Sequence, residues 1–502
     1  MRLATCPWAT ARRAPSTAAA RRWPNFKAGR FPWRASGPSL DRAYCETAGT
    51  VAIQERRRPT PQHNPAFDSG LLREIARHVR FHGPLTVKEF MMLALTHPKH
   101  GYYMNGEIFG RGGDFVTSPE MSQTFGELLG VWCVASWEQL GRPPAVRLAE
   151  LGPGRGTLML DLLRSTSVFP AFRAALSVHL VEVSPHLRRC QHALLSGMAM
   201  PNDAAHDVTA DGSPPVEWRC TSDDQHSVFV HWHSHLDLVP DDGPLLLLGH
   251  EFLDALPVHQ FVNTSRGWRE RMVDLREHAT THSAEQEQPV VPVVNQEETS
   301  AGGNGIGSGA VRDLDEDERH LDFVLSPTPT PASAVLTRDL ESDLPQAEVS
   351  PAAQALVQEV ARRIVRTRGA ALFIDYGLDS RPADSLRGII GHRFVHPLHK
   401  PGAADLSVDV DFASLRRAAR AVAPELRCPP LTLQRDFLAM MGFETRVNML
   451  LKEISDKKAR EALIQAAGRL VAVPGMGSAY KAFALAHSDI PADSIPGFPP
   501  CD

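Results

Sequence analysis

Cysteine is scarce in this sequence, with seven residues among 502, at positions 6, 45, 133, 190, 220, 428 and 501. The number is odd, no two cysteines form a CxxC pair, and no zinc-site spacing is present. This set excludes a disulfide-stapled secreted scaffold and argues against a cysteine-based metal centre. We interpret the cysteines as reduced packing residues in a compartment that is not oxidising.

Long hydrophobic runs are also missing. No apolar stretch approaches the roughly 18–20 residues that a membrane-spanning helix needs, so we predict no transmembrane segment. Hydrophobic residues make up 43% of the chain and charged residues 22%, which are ordinary values for a globular protein. The length allows one large domain with additions, or two or three domains.

Acidic residues are absent from the first 40 positions. The same segment contains eight basic residues: Arg2, Arg12, Arg13, Arg21, Arg22, Lys27, Arg30 and Arg34. Ala, Ser, Thr and Pro fill the gaps, and the apolar core of a secretory signal is missing. This composition is typical of a mitochondrial transit peptide, and a disordered basic tail is the alternative.

The charge of the chain is unevenly distributed. Residues 1–58 carry twelve Lys or Arg and three Asp or Glu, whereas the whole chain has a net charge of −5, so the remainder carries about −14. Nucleic-acid binding depends on clustered Lys and Arg. The balance therefore argues against a nucleic-acid partner and weakly favours a cationic one.

Strand and helix patterns alternate from Ala145 onward. The predicted strands cover residues 146–151, 177–183, 228–232, 244–251 and 369–377, with 480–486 as a late candidate. Helical patterns lie between several of these strands, which predicts a parallel, doubly wound α/β sheet.

Three helix signals precede this alternating part. Residues 71–82 repeat apolar positions at helical spacing, and Thr86 with Glu89 forms a capping box that opens a second helix. Ser118 is predicted as the capping residue of a third helix, which continues to about Leu140.

Composition divides the chain further. Residues 280–320 are rich in Gly, Ser, Glu and Gln and lack periodicity, which predicts a disordered insertion. The predicted parts are a transit peptide or disordered segment (1–58), an N-terminal helical region (59–142), the first part of the core (143–278), a low-complexity insertion (279–322), the second part of the core (323–490) and a tail (491–502).

The segment ELGPGRGT directly follows the first strand and opens a helix. Its glycines let the backbone turn sharply and approach a ligand. Their GxGxG spacing differs from the GxGxxG of dinucleotide-binding proteins, and the acid at the strand end would repel a pyrophosphate but suits the ammonium group of S-adenosyl-L-methionine. We predict that this segment binds that cofactor, and a tight turn without a ligand is the alternative. The predicted cofactor-binding residues here are Glu150, Gly152, Pro153, Gly154, Gly156 and Thr157.

Three further acidic residues lie at or just after predicted strand ends. Glu182 closes the second strand, where an acid binds the ribose hydroxyls in dinucleotide folds, although a lone acid can simply be solvated. Glu251 and Asp254 follow the fourth strand and are suited to hold a guanidinium group by charged hydrogen bonds. We predict both as catalytic residues, and a helix N-terminus with acids that compensate its dipole is the alternative.

Three histidines alternate on the third strand and beyond it, at His231, His233 and His235. Alternation makes a metal pair conceivable, but no Cys or acid cluster accompanies it, and we predict no metal site.

Longer motifs recur in a fixed order at 113–132, 150–164, 178–191, 250–261, 373–377, 386–392 and 401–417. Together they resemble the MidA-type methyltransferases, the family of the mitochondrial complex I assembly factor that methylates arginine. The resemblance covers about residues 71–485, interrupted by the insertion.

This resemblance implies a class I S-adenosyl-L-methionine-dependent methyltransferase fold with a seven-stranded sheet, a helical N-terminal extension and an antiparallel last strand. It implies a mitochondrial matrix enzyme that dimethylates an arginine of the 49-kDa-type complex I subunit symmetrically, a type II reaction needed for complex I assembly. A non-catalytic complex I assembly chaperone with the same fold is the alternative.

The resemblance also assigns residues by position. Glu251 matches the acid that faces the guanidinium in arginine methyltransferases, and Glu182 matches the ribose acid. A signature loop that covers the cofactor pocket corresponds to Gly113, Asp114, Phe115, Ser118, Pro119 and Glu120.

Overall fold

The strands of this protein fall into three sheets. The computed structural model describes residues 70–104, 117–196, 216–218, 227–276, 320–341 and 343–500. In chain order the strands are β1 (Leu85–Thr86), β2 (Val146–Leu151), β3 (Leu176–Val181), β4 (Val216–Trp218), β5 (Val228–His233), β6 (Leu245–His250), β7 (His259–Thr264), β8 (Gly267–Leu275), β9 (Leu321–Leu325), β10 (Gln346–Val349), β11 (Gly369–Leu378), β12 (Arg387–Ile390), β13 (Arg393–Val395), β14 (Asp405–Ser407), β15 (Val410–Asp411), β16 (Thr432–Leu433) and β17 (Tyr480–Ala486).

The α-helices either cover these sheets or form the N-terminal region. In chain order they are α1 (Gly70–His82), α2 (Val87–Thr96), α3 (Ser118–Met121), α4 (Gln123–Gln139), α5 (Thr157–Thr166), α6 (Pro170–Ala175), α7 (Pro185–Ser196), α8 (Pro331–Leu336), α9 (Pro351–Thr367), α10 (Phe412–Val422), α11 (Gln434–Met440), α12 (Phe443–Glu453), α13 (Lys457–Val471) and α14 (Met476–Ala479). In the part of the chain that the structure describes, none of them has both the length and the apolar character to cross a bilayer.

The central sheet has the strand order β16-β17-β11-β6-β2-β3-β5-β4, with the two-residue β15 beside β11. Strands β2, β3, β5, β6 and β11 are parallel to one another, whereas β17 is antiparallel to both of its neighbours. The strands from β16 to β5 thus form the predicted seven-stranded, doubly wound sheet with an antiparallel last strand, and β4 and β15 add to it.

Both faces of the central sheet are covered, which explains the continuous apolar runs of its strands. Strand β6 is buried at every position. On one face α4 and α5 contribute the buried Trp132 and Leu162, and on the other face α9 and α10 contribute Val357 and Phe412. This packing fixes the strand ends at which the candidate site lies.

A second, antiparallel sheet was not anticipated from the sequence. Its order is β1-β8-β7-β10, with β9 paired to β8. It packs on α1 and α2, where Leu71, Phe90 and Val273 are fully buried in a third hydrophobic cluster. Apart from the β7–β8 hairpin, its strands come from distant parts of the chain, so no local alternation of strands and helices predicts the sheet. The third sheet has the order β13-β12-β14.

The helix signals of the N-terminal region were correct in two cases and wrong in the third. Helix α1 and the Thr86–Glu89 capping box of α2 are confirmed. The helix predicted from Ser118 to Leu140 is instead interrupted, because Ser122 adopts an extended conformation and its hydroxyl caps α4. Ser118 is the first residue of the short α3 and not its cap.

A buried ion pair joins α12 to helix α4 of the core. Arg446 Nε and Nη2 donate to the two carboxylate oxygens of Glu127 in α4, at 2.7 and 3.0 Å. Both side chains are largely buried. Removing one partner of such a pair is costly because the other charge stays buried without compensation.

We expect Arg446→Leu to lower the free energy of unfolding by about 3–5 kcal/mol, since it strands the Glu127 carboxylate. The double variant Glu127→Leu/Arg446→Leu should recover much of the loss. Urea denaturation followed by circular dichroism measures both. A single variant that unfolds at the wild-type urea concentration would show that the pair does not stabilise the fold.

Candidate active site

Four acidic residues lie at the carboxyl ends of adjacent parallel strands. Glu150 is near the end of β2, Glu182 and Glu251 directly follow β3 and β6, and Asp375 is near the end of β11. Because the strand order is β3-β2-β6-β11, these residues line one edge of the sheet. The chain leaves β2 towards β3 but returns to β6 on the other side, and ligands of open α/β sheets bind at such a switch point.

The glycine loop after β2 is tightly turned. Gly152, Gly154 and Gly156 have φ of +60°, +54° and +89°, a region that favours glycine. A Cβ on Gly152 would stand 2.6 Å from the Phe252 ring, whereas one on Gly154 would meet no atom within 4 Å. The loop is therefore packed against the turn after β6 on one side and borders open space at Gly154.

Gln191 in α7 joins the glycine loop to Glu182. Its Nε2 donates to the Gly154 carbonyl oxygen at 2.7 Å and to Glu182 Oε2 at 3.3 Å, and its Oε1 accepts from Trp232 Nε1 at 2.9 Å. Sequence reasoning did not select this residue. It ends one of the recurring motifs, but nothing in a single sequence distinguishes it from a surface glutamine.

Hydrogen bonds hold the Glu182 side chain in place. Oε1 accepts the Ser184 backbone N–H at 2.8 Å, and Arg188 Nε donates to the Glu182 carbonyl oxygen at 2.7 Å. Burial raises the pKa of Glu182 to about 7, against the effect of the hydrogen bonds from Ser184 and Gln191.

Glu150 provides the test of fit for the predicted cofactor. Glu150 is 3% exposed. Its burial and, to a smaller extent, the negative charge of Glu182 raise the pKa of its carboxyl group to about 8. Its Oε2 has no hydrogen-bond partner among the residues that the structure describes. Buried charges are normally paired, so an unpartnered carboxylate oxygen near an open glycine loop fits the ammonium group of S-adenosyl-L-methionine.

Residues 251–256 form a turn, and not the helix N-terminus that the sequence left open as an alternative. Glu251 has φ of +49°, and its N–H donates to the Ile374 carbonyl oxygen at 3.1 Å. Its Oε1 accepts the Ser118 N–H at 3.5 Å, and the Tyr480 hydroxyl also bonds its carboxylate. The side chain is only 9% exposed.

Asp254 lies in the same buried pocket and is 8% exposed. Its Oδ2 accepts the Tyr376 hydroxyl, while its Oδ1 has no hydrogen-bond partner within the described segments. Burial raises the pKa of Asp254, and burial followed by the charge of Asp254 raises the pKa of Glu251 to about 8. Burial dominates at both acids, although the Tyr376 hydroxyl and the Arg387 guanidinium oppose the rise at Asp254. A buried pair of acids of this kind suits a cationic ligand.

Sequence reasoning missed three residues of this acidic pocket, Asp375, Tyr376 and Tyr480. The first two belong to a recurring motif and the third begins a predicted strand, yet their spatial relation to Glu251 depends on strand pairing. One signal was available: the chain has only five tyrosines. Of these, Tyr376 and Tyr480 bond the two acids, and the charge of Asp254 contributes to raising the pKa of a third, Tyr103.

The predicted covering loop is only partly described. Gly113, Asp114 and Phe115 lie outside the described residues. Ser118 and Pro119 are buried in α3, and Glu120 contributes to raising the pKa of Glu251. The described part of this segment thus contacts the acidic turn.

Two of the alternating histidines, His231 and His233, contact His179 on the neighbouring strand β3. His233 Nε2 lies 3.0 Å from His179 Nδ1, and His231 stacks on the His179 ring. Burial, then the two neighbouring histidines, lowers the pKa of His179 to about 3. Within the described ranges no group of three ligand-type side chains has an arrangement that could hold a metal ion. His235 lies beyond the strand.

Comparison with known proteins gives a consistent result. A family model described as an S-adenosyl-L-methionine-dependent methyltransferase matches residues 128–427. The chain is 36% identical over 482 residues to a mouse protein named "Protein arginine methyltransferase NDUFAF7, mitochondrial", which covers 93% of this chain and 96% of the mouse protein. The human protein of that name is 36% identical, covering 85% of each chain, and the fruit-fly homologue is 33% identical, covering 93% and 94%.

Solved structures show the same fold. A COG1565 superfamily member from Burkholderia thailandensis, crystallised with S-adenosyl-homocysteine, superposes with a TM-score of 0.62 at 24% identity, and the match covers 86% of this chain and 95% of that one. A second structure from the same organism gives a TM-score of 0.60 at 23% identity, covering 87% and 97%.

Gly154→Val tests the glycine loop. The added side chain would project into the open space beside the loop, so we expect affinity for S-adenosyl-L-methionine to fall at least about tenfold, or about 1.4 kcal/mol. Calorimetry measures this. Gly141→Val is the matched control, because Gly141 also has a positive φ and open surroundings. It should lose comparable stability but keep the affinity, and normal affinity in Gly154→Val would refute the assignment.

Glu150→Gln tests the unpaired carboxylate. The raised pKa of Glu150, about 8, means that the ligand-free protein loses stability as the pH rises through that value. We expect the Tm of the ligand-free variant to fall less than that of the wild type between about pH 6 and about pH 9. Thermal melts measure this, and equal slopes in both proteins would contradict it.

The same variant should bind S-adenosyl-L-methionine about tenfold more weakly, because its amide carries no charge to pair with an ammonium. A smaller loss of stability with rising pH together with a loss of affinity distinguishes a binding residue from a structural one.

Proposed function

The chain belongs to the MidA-type family of S-adenosyl-L-methionine-dependent methyltransferases, and we propose on this premise that it is a mitochondrial protein arginine methyltransferase. The proposed acceptor is an arginine of the 49-kDa-type subunit of complex I, dimethylated symmetrically in the matrix during assembly of that complex. The names of the mouse, human and fruit-fly relatives support the arginine specificity and the compartment.

The observation that carries this proposal is the pair of buried acids after β6. The Glu251 side chain is 9% exposed, and Asp254 is 8% exposed. Asp254 Oδ1 lacks a hydrogen-bond partner among the described residues. Two carboxylates match a guanidinium group, which presents several N–H donors in a planar fork. The proximity of Phe252 to Gly152 puts this acceptor pocket next to the proposed cofactor loop.

Within this proposal the cofactor would be held by the glycine loop, Glu150 and Glu182. S-adenosyl-L-methionine, when bound, supplies a methyl group attached to a positively charged sulfur. The protein mainly has to hold the acceptor nitrogen in the correct place and exclude water, and such orientation can contribute about 7–11 kcal/mol.

The acids also change the reactivity of the acceptor. A guanidinium is protonated in water and is a poor nucleophile. Glu251 and Asp254 orient it and concentrate its charge away from the attacking nitrogen. The raised pKa of Glu251, about 8, allows its carboxylate to take up the proton that the nitrogen loses late in the transfer or afterwards.

Glu251→Gln is expected to keep cofactor affinity within about threefold while kcat falls about 100-fold or more, because a neutral amide neither orients the cation nor takes up a proton. In the wild type, kcat/KM should rise as the pH rises through about 8, where Glu251 ionises. Transfer of labelled methyl groups to an arginine peptide measures both.

Glu348→Gln is the matched control for this experiment. Glu348 is also buried, but it lies on β10 of the second sheet and bonds Ser385 and Gln260. Its loss should affect stability and leave kcat within about threefold. Unchanged turnover in Glu251→Gln would remove Glu251 from the mechanism.

The substrate is tested in cells that lack the protein. Mass spectrometry of complex I subunits should show the loss of one symmetric dimethylarginine, restored by the wild type and not by Glu251→Gln. Restoration of complex I by a variant that cannot bind the cofactor would favour the assembly chaperone instead.

A further inference from the structure

Asp375 accepts hydrogen bonds from three consecutive backbone N–H groups of the turn after β6. Its Oδ2 accepts from Phe252 at 3.0 Å, from Leu253 at 2.8 Å and from Asp254 at 3.4 Å. The residue is 1% exposed. Successive N–H groups that converge on one oxygen form a nest for an anion, and here the anion is a side chain of the neighbouring strand.

The second oxygen of Asp375 is also engaged. Oδ1 accepts the backbone N–H of Tyr376 at 2.9 Å. Both carboxylate oxygens therefore bond the protein's own backbone, in contrast to Asp254, whose Oδ1 has no partner among the described residues. The hydrogen bonds separate the roles of these buried acids, because Asp375 is committed to the main chain while Asp254 keeps an oxygen for a ligand.

The turn held in this way has an unfavourable backbone conformation. Glu251 has φ of +49°, a left-handed conformation that is strained for a residue with a side chain. Such a conformation persists only where the surroundings determine it. Three contacts do so here: the Glu251 N–H bonds Ile374, the Phe252 ring packs against Gly152, and the nest closes on Asp375.

We propose that Asp375 is a positioning residue, which holds the Glu251–Asp254 turn so that both carboxylates face the acceptor group. It acts through these two residues and does not touch the acceptor. The inference rests on the proposed function, because it assigns a purpose to the turn that the acceptor pocket requires.

The charges around Asp375 give a readout that a purely structural role would not change. Burial is the main cause that raises the pKa of Asp375, and the charges of Asp254 and Glu251 add to it. Hydrogen bonds from the N–H groups of Leu253 and Phe252 oppose this rise. The other titratable or charged groups around these acids include the Tyr103, Tyr376 and Tyr480 hydroxyls, Glu120, the Arg387 guanidinium and the His250 ring, whose Nε2 lies 3.4 Å from Glu251 Oε1. Four backbone N–H groups donate to the two Asp375 oxygens, and such donors favour the ionised carboxylate against the effect of burial. Removing this charge should make the neighbouring acids ionise at lower pH.

The experiment is Asp375→Asn, assayed in the full-length protein with S-adenosyl-L-methionine and an arginine peptide. The amide has one acceptor oxygen, so its NH₂ group must face either the nest or the Tyr376 N–H. We expect kcat to fall about 10- to 100-fold, as for a catalytic group displaced by an ångström or less. Cofactor affinity should stay within about threefold, and the pH dependence of kcat/KM should move to lower pH.

Asp274→Asn is the matched control. Asp274 is 2% exposed, and its Oδ1 accepts the backbone N–H of the next residue, Leu275, at 2.7 Å, but it lies on β8 of the second sheet. This variant should lose stability without a selective loss of kcat or a shifted pH profile. The comparison separates loss of a buried carboxylate in general from loss of this one.

Wild-type kcat and pH dependence in Asp375→Asn would overturn the proposal. If that variant does not fold, Asp375→Glu retains the charge but displaces the oxygens by one methylene. In that case lowered kcat with normal cofactor affinity supports the proposal, and unchanged kcat overturns it. A wild-type protein that binds cofactor but transfers no methyl group to arginine would refute the proposed function instead, so the two failures are distinguishable.

Discussion

The accumulation of buried carboxylates at one edge of the central sheet is the constraint on which the rest of the site depends. Glu150, Glu182, Glu251, Asp254 and Asp375 are all buried or nearly so, and burial raises the pKa of each. Acids are rarely buried without a partner, because removing a charge from water is costly. A cationic ligand lowers that cost. In the proposed function, stability and ligand binding are coupled through these residues, because a ligand that binds only the folded protein stabilises it.

The main chain joins the two halves of this site into one unit. Gly152 lacks a side chain, and the Phe252 ring occupies the space that a Cβ would need. The next residues of the same turn give their N–H groups to Asp375. The glycine loop after β2 and the acidic turn after β6 therefore support each other directly. A displacement of either segment would be felt by the other, since packed elements transmit small shifts.

Elements outside the central sheet contribute to the proposed acceptor side. Tyr103 precedes the sheet in sequence and donates to Asp405, while Arg387 at the start of β12 stacks on Tyr376 and pairs with Asp409. The central sheet provides the strand ends that carry the acids, whereas Arg387 and Asp405 belong to β12 and β14 of the third sheet. This division agrees with the general finding that function resides in sites attached to a common fold.

The sequence by itself determined the features that are local. The capping box of α2, the glycine loop and the strand-end acids are contiguous patterns, and the structure places Glu150, Glu182 and Glu251 at one sheet edge. Only the tertiary structure decided the interruption at Ser122, the second sheet, and the convergence of Gln191, Asp375, Tyr376 and Tyr480 on the site. The approach of Asp375, Tyr376 and Tyr480 to Glu251 depends on pairing between β6, β11 and β17, which lie more than 100 residues apart. A short pattern specifies local backbone geometry, but which side chains meet across a sheet is set by non-local packing.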